Sequence, residues 1–538
     1  MASNTIFSSE SDEDTWVIQI NQLVSETNLK ILNKMPVCIY QVPKSLSCAK
    51  PEAFTPQIIA IGPYNHFLPE LYPMERFKIL AAKRVLDHFN KHDLKQLVQQ
   101  LYNTGPFIRA CYHKYLDLKD NTLLYTMAID VLFLLDFFQN YLDEKVSGSI
   151  FTGIEQQEVQ RSGVKLTKDA IIRDLIMVEN QIPTYMLMRI LLIESSKPID
   201  SVEEHLGSML LSFCEKHSPL KLTQTPTCSE VVTKHYHLLD LMYHLMVSKD
   251  EKSITPPTSE SQGMCMPHGN DSTTGDPISM GSTESEGIVT FKKKVDVQLT
   301  WTQGALKRLK DMNLPSLRPI KKYLDEILRM LNLLQSYSSE ISPSETEAPV
   351  VVTIPSVCEL HSVGIICQPS KGGIMAIEFD ELKGIFYLPL IKLDVNSEVI
   401  MRNIVAHEAL TEPDFLIFTR YTELMRAMID TVEDVKLLKD AAIIESTSSL
   451  SVEETQELFN GMSKSIGPTR TEKLDNTIKK VNKYFYDKRK GNLYGVFTNY
   501  VYSSWKPFTF LATFVLLAMT ALQSFCSVYD CTSHYRHK

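Results

Sequence analysis

The stretch Thr122–Leu142, TLLYTMAIDVLFLLDFFQNYL, decides what kind of body this chain folds into. It is apolar around nearly its whole circumference, so it is either the central helix of a globular core or a membrane span. Asp130 and Asp136 interrupt it, and a carboxylate is expensive in hydrocarbon. The sequence therefore predicts a buried core helix in a mainly α (α+β) protein.

Working outward toward the amino terminus, Met74–Leu101 reads MERFKILAAKRVLDHFNKHDLKQLVQQL. Phe77, Ala81, Val85, Leu86 and Phe89, then Leu94, Leu97, Val98 and Leu101, recur at three and four residues, which marks one helix or two abutting ones. Ahead of it, Pro56, Gly62 and Pro63 punctuate an extended apolar piece, QIIAIG (Gln57–Gly62), that delivers the chain to a helix beginning near Met74. Tyr64 and His66 follow, either lining a pocket or, the favoured reading, fixing a turn against the core. Toward the carboxyl side, DLIMVENQIP places Glu179, Asn180 and Gln181 before Pro183, which reads as a turn and cap rather than a catalytic trio. In KHYHLLDLMYHL, His235, His237 and His244 read as ordinary histidines on a helix surface. A metal role would need carboxylate or thiolate partners that the sequence alone does not place.

The composition then changes. Ser248–Gly287 is Ser, Thr, Gly, Pro and acid with almost nothing to bury, as in a disordered linker. The segments are an acidic stretch 1–30, a helical first half 31–247, the polar linker 248–288, a second half 289–490, a juxtamembrane stretch 491–506, an apolar helix 507–529 and a short tail 530–538. Within the second half, Ile320, Leu324, Ile327, Leu331 and Leu334 mark a helical face. The short Gly-punctuated runs around 350–394 predict a small β element. Tyr421, Leu424, Met425, Met428, Ile429, Val432 and Val435 form one continuous helical stripe.

From Pro507 to Tyr529 no residue is charged, and a helix of that stretch reaches roughly 34 Å, enough for a hydrocarbon core of about 30 Å. The sequence predicts a single transmembrane helix here, with Phe508, Leu511, Phe514, Leu517, Leu522 and Phe525 facing lipid. Trp505 and Tyr529 suit the two interfaces. Cations before the span outnumber Arg536 and Lys538 after it, which places the body in the cytosol, as in a tail-anchored protein of the plasma membrane or an endomembrane.

The formal net charge of -9 argues against a dedicated nucleic-acid binder. Ten cysteines without a Cys-x-x-Cys pair read as reduced thiols. No phosphate loop, nucleophile elbow or dinucleotide fingerprint occurs, and in VAHEAL, His407 and Glu408 lack the second histidine of a zinc helix. The sequence thus names no catalytic residue, cofactor or metal ligand. Lys292, Lys293, Lys294, Lys307, Arg308, Lys321 and Lys322 make a locally basic region for anionic contacts, though a solvated helix face explains them as well.

Five blocks in order, VCIYQVPKSL (Val37–Leu46), the Phe54–Leu80 block, DLIMVENQIP, HLLDLMYHL and IEFDELKGIFYLPLIKLDVNSEVIMRNIVAHEAL (Ile377–Leu410), together with the Lys506-Pro507 tail, resemble the plant domain of unknown function 247 family. The family's usual GPYHHG stands here as Gly62, Pro63, Tyr64, Asn65, His66 and Phe67, so a role needing paired histidines does not carry over. The resemblance implies a mainly helical protein with one carboxy-terminal span and no recognised enzyme activity. Relatives in grasses are implicated in self-incompatibility recognition. The expected function is a non-enzymatic, membrane-anchored interaction protein whose partners are membrane lipid and another protein. The alternatives are an enzyme using Glu179, His66 or His407, or phosphate and anionic-lipid binding through the basic region.

Overall fold

The computed structural model describes residues 36–89, 93–142, 168–195, 197–222, 226–247, 352–446, 450–462 and 471–489, with isolated positions elsewhere. The acidic segment 1–30, the linker 248–288, the helical face at Ile320–Leu334 and the apolar tail lie outside them, apart from single positions such as Lys307, Leu516 and Met519.

Among the described residues of the first half, after a single helical turn at Lys44–Ser47, the longer helices begin with Glu75–Phe89 (α1), Leu94–Gln100 (α2), Gly105–Cys111 (α3) and Asp120–Leu142 (α4). The Met74–Leu101 pattern resolves into two helices. Asp93 opens the second with a capping box in which its side chain accepts from the Gln96 amide while Gln96 reaches back. Among the described residues α4 has the length and apolar character of a span, and 78% of its apolar window is buried inside the protein, so it is the core. Leu123, Leu124, Met127, Ala128, Val131 and Leu132 are all sealed from solvent. Each such large side chain contributes about 1.5–3 kcal/mol of burial.

The two aspartates of α4 are answered from α1. Lys78 Nζ lies 2.6 Å from Asp130 Oδ1, and Arg84 lies 2.7 Å from Asp136 Oδ2. Both pairs are offset by 52 residues, so the two helices run in the same direction and the charges fix their register. Parallel neighbours cannot be joined by a short turn, and α2 and α3 provide the return crossing.

Five more helices follow among the described residues of this half: Lys168–Leu175 (α5), Thr184–Ser195 (α6), Ile199–His217 (α7), Cys228–Lys234 (α8) and Leu238–Met246 (α9). Helix α6 begins one residue after Pro183, whose fixed φ suits an entry to a helix.

The second half opens with Val357–Ser362 (α10) and a three-stranded sheet of Ile366–Pro369 (β1), Glu378–Asp380 (β2) and Ile385–Leu388 (β3) in the order β1-β3-β2. β3 is parallel to β1 and antiparallel to β2. Ile391–Leu393 (β4) pairs in parallel with Ile444–Ser446 (β5), so the β structure extends beyond the 350–394 window expected from the sequence. Between β4 and β5 lie Ser397–Thr411 (α11), Ile417–Met428 (α12) and Val432–Asp440 (α13). The continuous stripe expected from Tyr421 to Val435 is broken. Thr431 caps α13 in a reciprocal box with Asp434, and the chain turns at Ile429–Asp430 while both helices keep their apolar faces on the same core. Val452–Met462 (α14) and a helix over residues 472–489 follow.

The described residues on either side of the intervening 252–348 belong to one unit. Their seam is α11. Asn403 on this helix accepts from the Val178 amide at 3.0 Å and donates to the Ala53 carbonyl at 2.7 Å. Asn396 donates to the Asp169 carbonyl, and Leu220 bridges Ile391 as a strand would.

Candidate functional site

Two buried polar regions were candidates for chemistry, and they are built differently. The first surrounds Gln57–Gly62. This segment is extended but joins no sheet, so its backbone groups need other partners. Asp174 Oδ2 accepts from the amides of Gln57, Ile58 and Ile59 at 3.0, 2.6 and 3.0 Å. Asn180 accepts from Ile61 and donates to the Ile59 carbonyl. Lys78 donates to the Ala60 carbonyl at 2.8 Å, and Asp130 Oδ2 accepts from Gly62 at 2.9 Å. Burial opposes the Lys78 ammonium, but Asp130 and Glu75 outweigh it and hold its pKa above the ordinary lysine value. Gly62 adopts φ +76, and a Cβ there would meet Gln181 O at 2.8 Å and Tyr112 Oη at 2.9 Å, so only glycine fits.

The polar trio expected as turn and cap takes part in this bracing. Glu179 accepts from the Val42 amide, Asn180 holds the segment, and Gln181 donates to Leu175 and Met177 carbonyls while accepting from Leu239. Tyr64 donates to the Ile39 carbonyl and accepts from the Lys114 amide, which is the turn-fixing role. His66 stacks edge-on with Phe67 and has Glu75 at 3.9 Å.

The second region is centred on Asp240 in the first turn of α9. His235 caps the carboxyl end of α8, and the chain turns through Tyr236 to His237, whose ring accepts from the Asp240 amide as the N-cap of α9. Asp240 therefore faces back toward His235, and His244 stands one helical turn further on the same side. His235 Nδ1 is 3.6 Å from Asp240 Oδ2, and His244 Nδ1 is 3.4 Å from Asp240 Oδ1. From α11, His407 Nε2 reaches Oδ1 at 3.2 Å, and the Tyr236 amide donates to Oδ2 at 2.9 Å. Burial works against the Asp240 carboxylate, yet the surrounding imidazoles outweigh it and hold its pKa well below the usual carboxylate range.

His237 has a different task. Its Nε2 lies 3.0 Å from the Cys38 carbonyl while Nδ1 accepts, which fixes one neutral tautomer. Burial, with His407 beside it, depresses its pKa to about 4. His235, His237 and His244 are not the ordinary surface histidines expected from the sequence, and His407, read there as half of an incomplete zinc helix, joins them. His237 and His407 are buried, and His235 and His244 converge on a carboxylate that stands between them in the chain. His407 could not be placed by inspection, since it lies 167 residues from Asp240.

Glu408, its neighbour, caps α12 from outside. Its carboxylate accepts from the Phe418 and Thr419 amides at 2.7 Å each and from Tyr243 Oη at 3.0 Å. Glu179, His66 and His407 thus have separate partners, and the structure does not bring them together at one carboxylate. Lys307 is an exposed helical position, and Lys292, Lys293, Lys294, Arg308, Lys321 and Lys322 lie outside the described residues, as do Phe508, Leu511, Phe514, Leu517, Leu522 and Phe525.

The fold and these two regions define a mainly helical body with a small mixed sheet, closed by side-chain braces across one internal seam. The chain belongs to the plant domain of unknown function 247 family, whose model, described as a plant protein of unknown function, matches residues 39–519. It is similar to a putative UPF0481 protein of Arabidopsis thaliana, 34% identical over 537 residues that cover 98% of this chain and 97% of the relative. A second Arabidopsis thaliana UPF0481 protein is 24% identical over 507 residues, 92% of this chain and 87% of the relative. No solved structure matches the chain.

Proposed function

We propose that this plant protein is a non-enzymatic interaction protein held at a membrane by its last helix, with its body in the cytosol. The observation that carries the reading is the uncharged run Pro507–Tyr529, long enough to span and flanked by Trp505 and Tyr529. Support comes from Leu516 and Met519, helical positions that are 66% and 57% exposed, and from Thr520, whose hydroxyl donates to the Leu516 carbonyl. The body supplies a surface for a protein partner. Phe67, Tyr72, Ile79 and Leu80 are exposed apolar side chains within or beside the Phe54–Leu80 block that carries the family pattern. The partners are membrane lipid and a protein, and the net charge of -9 disfavours nucleic acid.

The test is alkaline carbonate extraction of microsomes holding the full chain beside a chain ending before Trp505. The full chain is expected in the membrane pellet and the shortened one in the supernatant. Release of the full chain would remove the anchor from the reading. Protease protection of the same microsomes reports sidedness, and a body shielded from protease would reverse the orientation.

A further inference from the structure

We propose that His235, Asp240 and His244 form a binding site for one divalent transition-metal ion, zinc foremost, at the joint between α8 and α9. Their ligand atoms, two imidazole nitrogens and one carboxylate oxygen, all lie within 4.8 Å of one another. A tetrahedral zinc ion with bonds of about 2.0–2.1 Å keeps neighbouring donors about 3.3–3.4 Å apart. His235 Nδ1 stands 3.6 Å from Asp240 Oδ2 and His244 Nδ1 stands 3.4 Å from Asp240 Oδ1, so each imidazole already lies near that donor spacing from one oxygen of the carboxylate.

Three further observations favour a ligand over a simple hydrogen-bond cluster. His235 Nδ1 is sealed from solvent and has no hydrogen-bond partner, although it points toward Asp240. An unsatisfied buried nitrogen costs about 1–3 kcal/mol, and a metal ion would satisfy it. Asp240 is oriented from outside the trio by the His407 ring and the Tyr236 amide, the arrangement that aims a carboxylate at a metal. The His244 side chain is 37% exposed, which leaves an approach for the ion and a fourth position for water. Its Nδ1 now lies 2.9 Å from the Asp240 carbonyl, so binding replaces that hydrogen bond and shifts the ring proton from Nδ1 to the part-exposed Nε2 side with no net change in protons. Two imidazoles and one carboxylate select a borderline transition ion over calcium or magnesium, which take oxygen ligands.

The experiment uses the untagged full chain in detergent, stripped with EDTA and titrated with Zn2+ by calorimetry, with Co2+ as the spectroscopic probe. The wild type is expected to take up one ion per chain, to gain thermal stability with Zn2+, and to show the visible bands of tetrahedral Co2+. The double variant His235→Ala, His244→Ala is expected to bind at least about 10-fold more weakly and to lose those bands. Failure of the wild type to bind an equivalent of Zn2+ would overturn the site, as would equal binding by the variant. His244→Ala alone, at a part-exposed position, makes the same comparison should the double variant not fold. The result is independent of the membrane reading, because carbonate extraction does not report on it.

Discussion

The braced segment Gln57–Gly62 and the seam along α11 both bury polar groups, but they solve the problem with different chemistry. In the segment, fixed charges and amides satisfy backbone donors one by one, through Asp174, Asn180, Lys78 and Asp130. On the seam side, imidazoles dominate: His407 at Asp240, His237 at the Cys38 carbonyl, and His217 close to Asp394 at the end of β4. The first arrangement has its polar atoms matched, and burial raises the pKa of its Asp130 and Asp174 carboxylates above the ordinary value. The second leaves His235 Nδ1 without a hydrogen-bond partner, and burial holds the His237 and His217 rings well below the ordinary histidine pKa. Burial is common to both regions, and what separates them is the incomplete match at His235.

Four measurements test that contrast. The largest effect is expected from Lys78→Met, which leaves Asp130 as an unpaired buried carboxylate and should cost about 4 kcal/mol in urea denaturation of the full chain. Adding Asp130→Asn, which keeps an acceptor for Gly62, should recover most of that loss. A single variant near wild-type stability would show that the pair carries little.

Acid should act on the other region. Burial lowers the His217 pKa to about 4, with Asp394 opposing. The folded protein therefore holds this ring neutral where the unfolded chain, near 6.5, is already binding a proton. Stability is complete above about pH 6.5 and falls by about 2 to 3 kcal/mol as pH drops toward 4. His217→Gln should flatten this part of the profile, and an unchanged slope would refute the assignment.

Gly62→Ala should cost about 2 kcal/mol, from positive φ and from contact with the Gln181 backbone. A neutral outcome would mean that the brace can shift. The smallest effect is expected at Lys83→Ala, whose 2.5 Å pair with Asp87 is 70% and 60% exposed; the change should stay within about 0.5 kcal/mol.

Much of the architecture was legible because it obeys short-range rules. The α4 run, its carboxylates and the period of α1 and α2 were all visible, and the constant offset of 52 residues between Lys78–Asp130 and Arg84–Asp136 was a usable signal for their pairing. The break between α12 and α13 was missed because both helices face one core, so the apolar spacing carries across a capped turn. The Asp240 region was half legible. His235, Asp240 and His244 lie within ten residues of sequence, and an aspartate one turn before a histidine on a helix is a detectable pattern. His407 was not, because long-range packing alone brings α11 to α9. Glu179, Asn180 and Gln181 were assigned to their own turn, and only folding reveals that Asn180 holds a segment 121 residues away.

The seam has a consequence for how the polypeptide can be made. Residues up to 247 and from 352 onward meet along α11, with Asn403, Asn396 and His407 each finding a mate on the opposite piece. The Val178 amide and the Ala53 and Asp169 carbonyls, all made early, gain their partners only once α11 has been made, so the interior of the first piece is completed by the second.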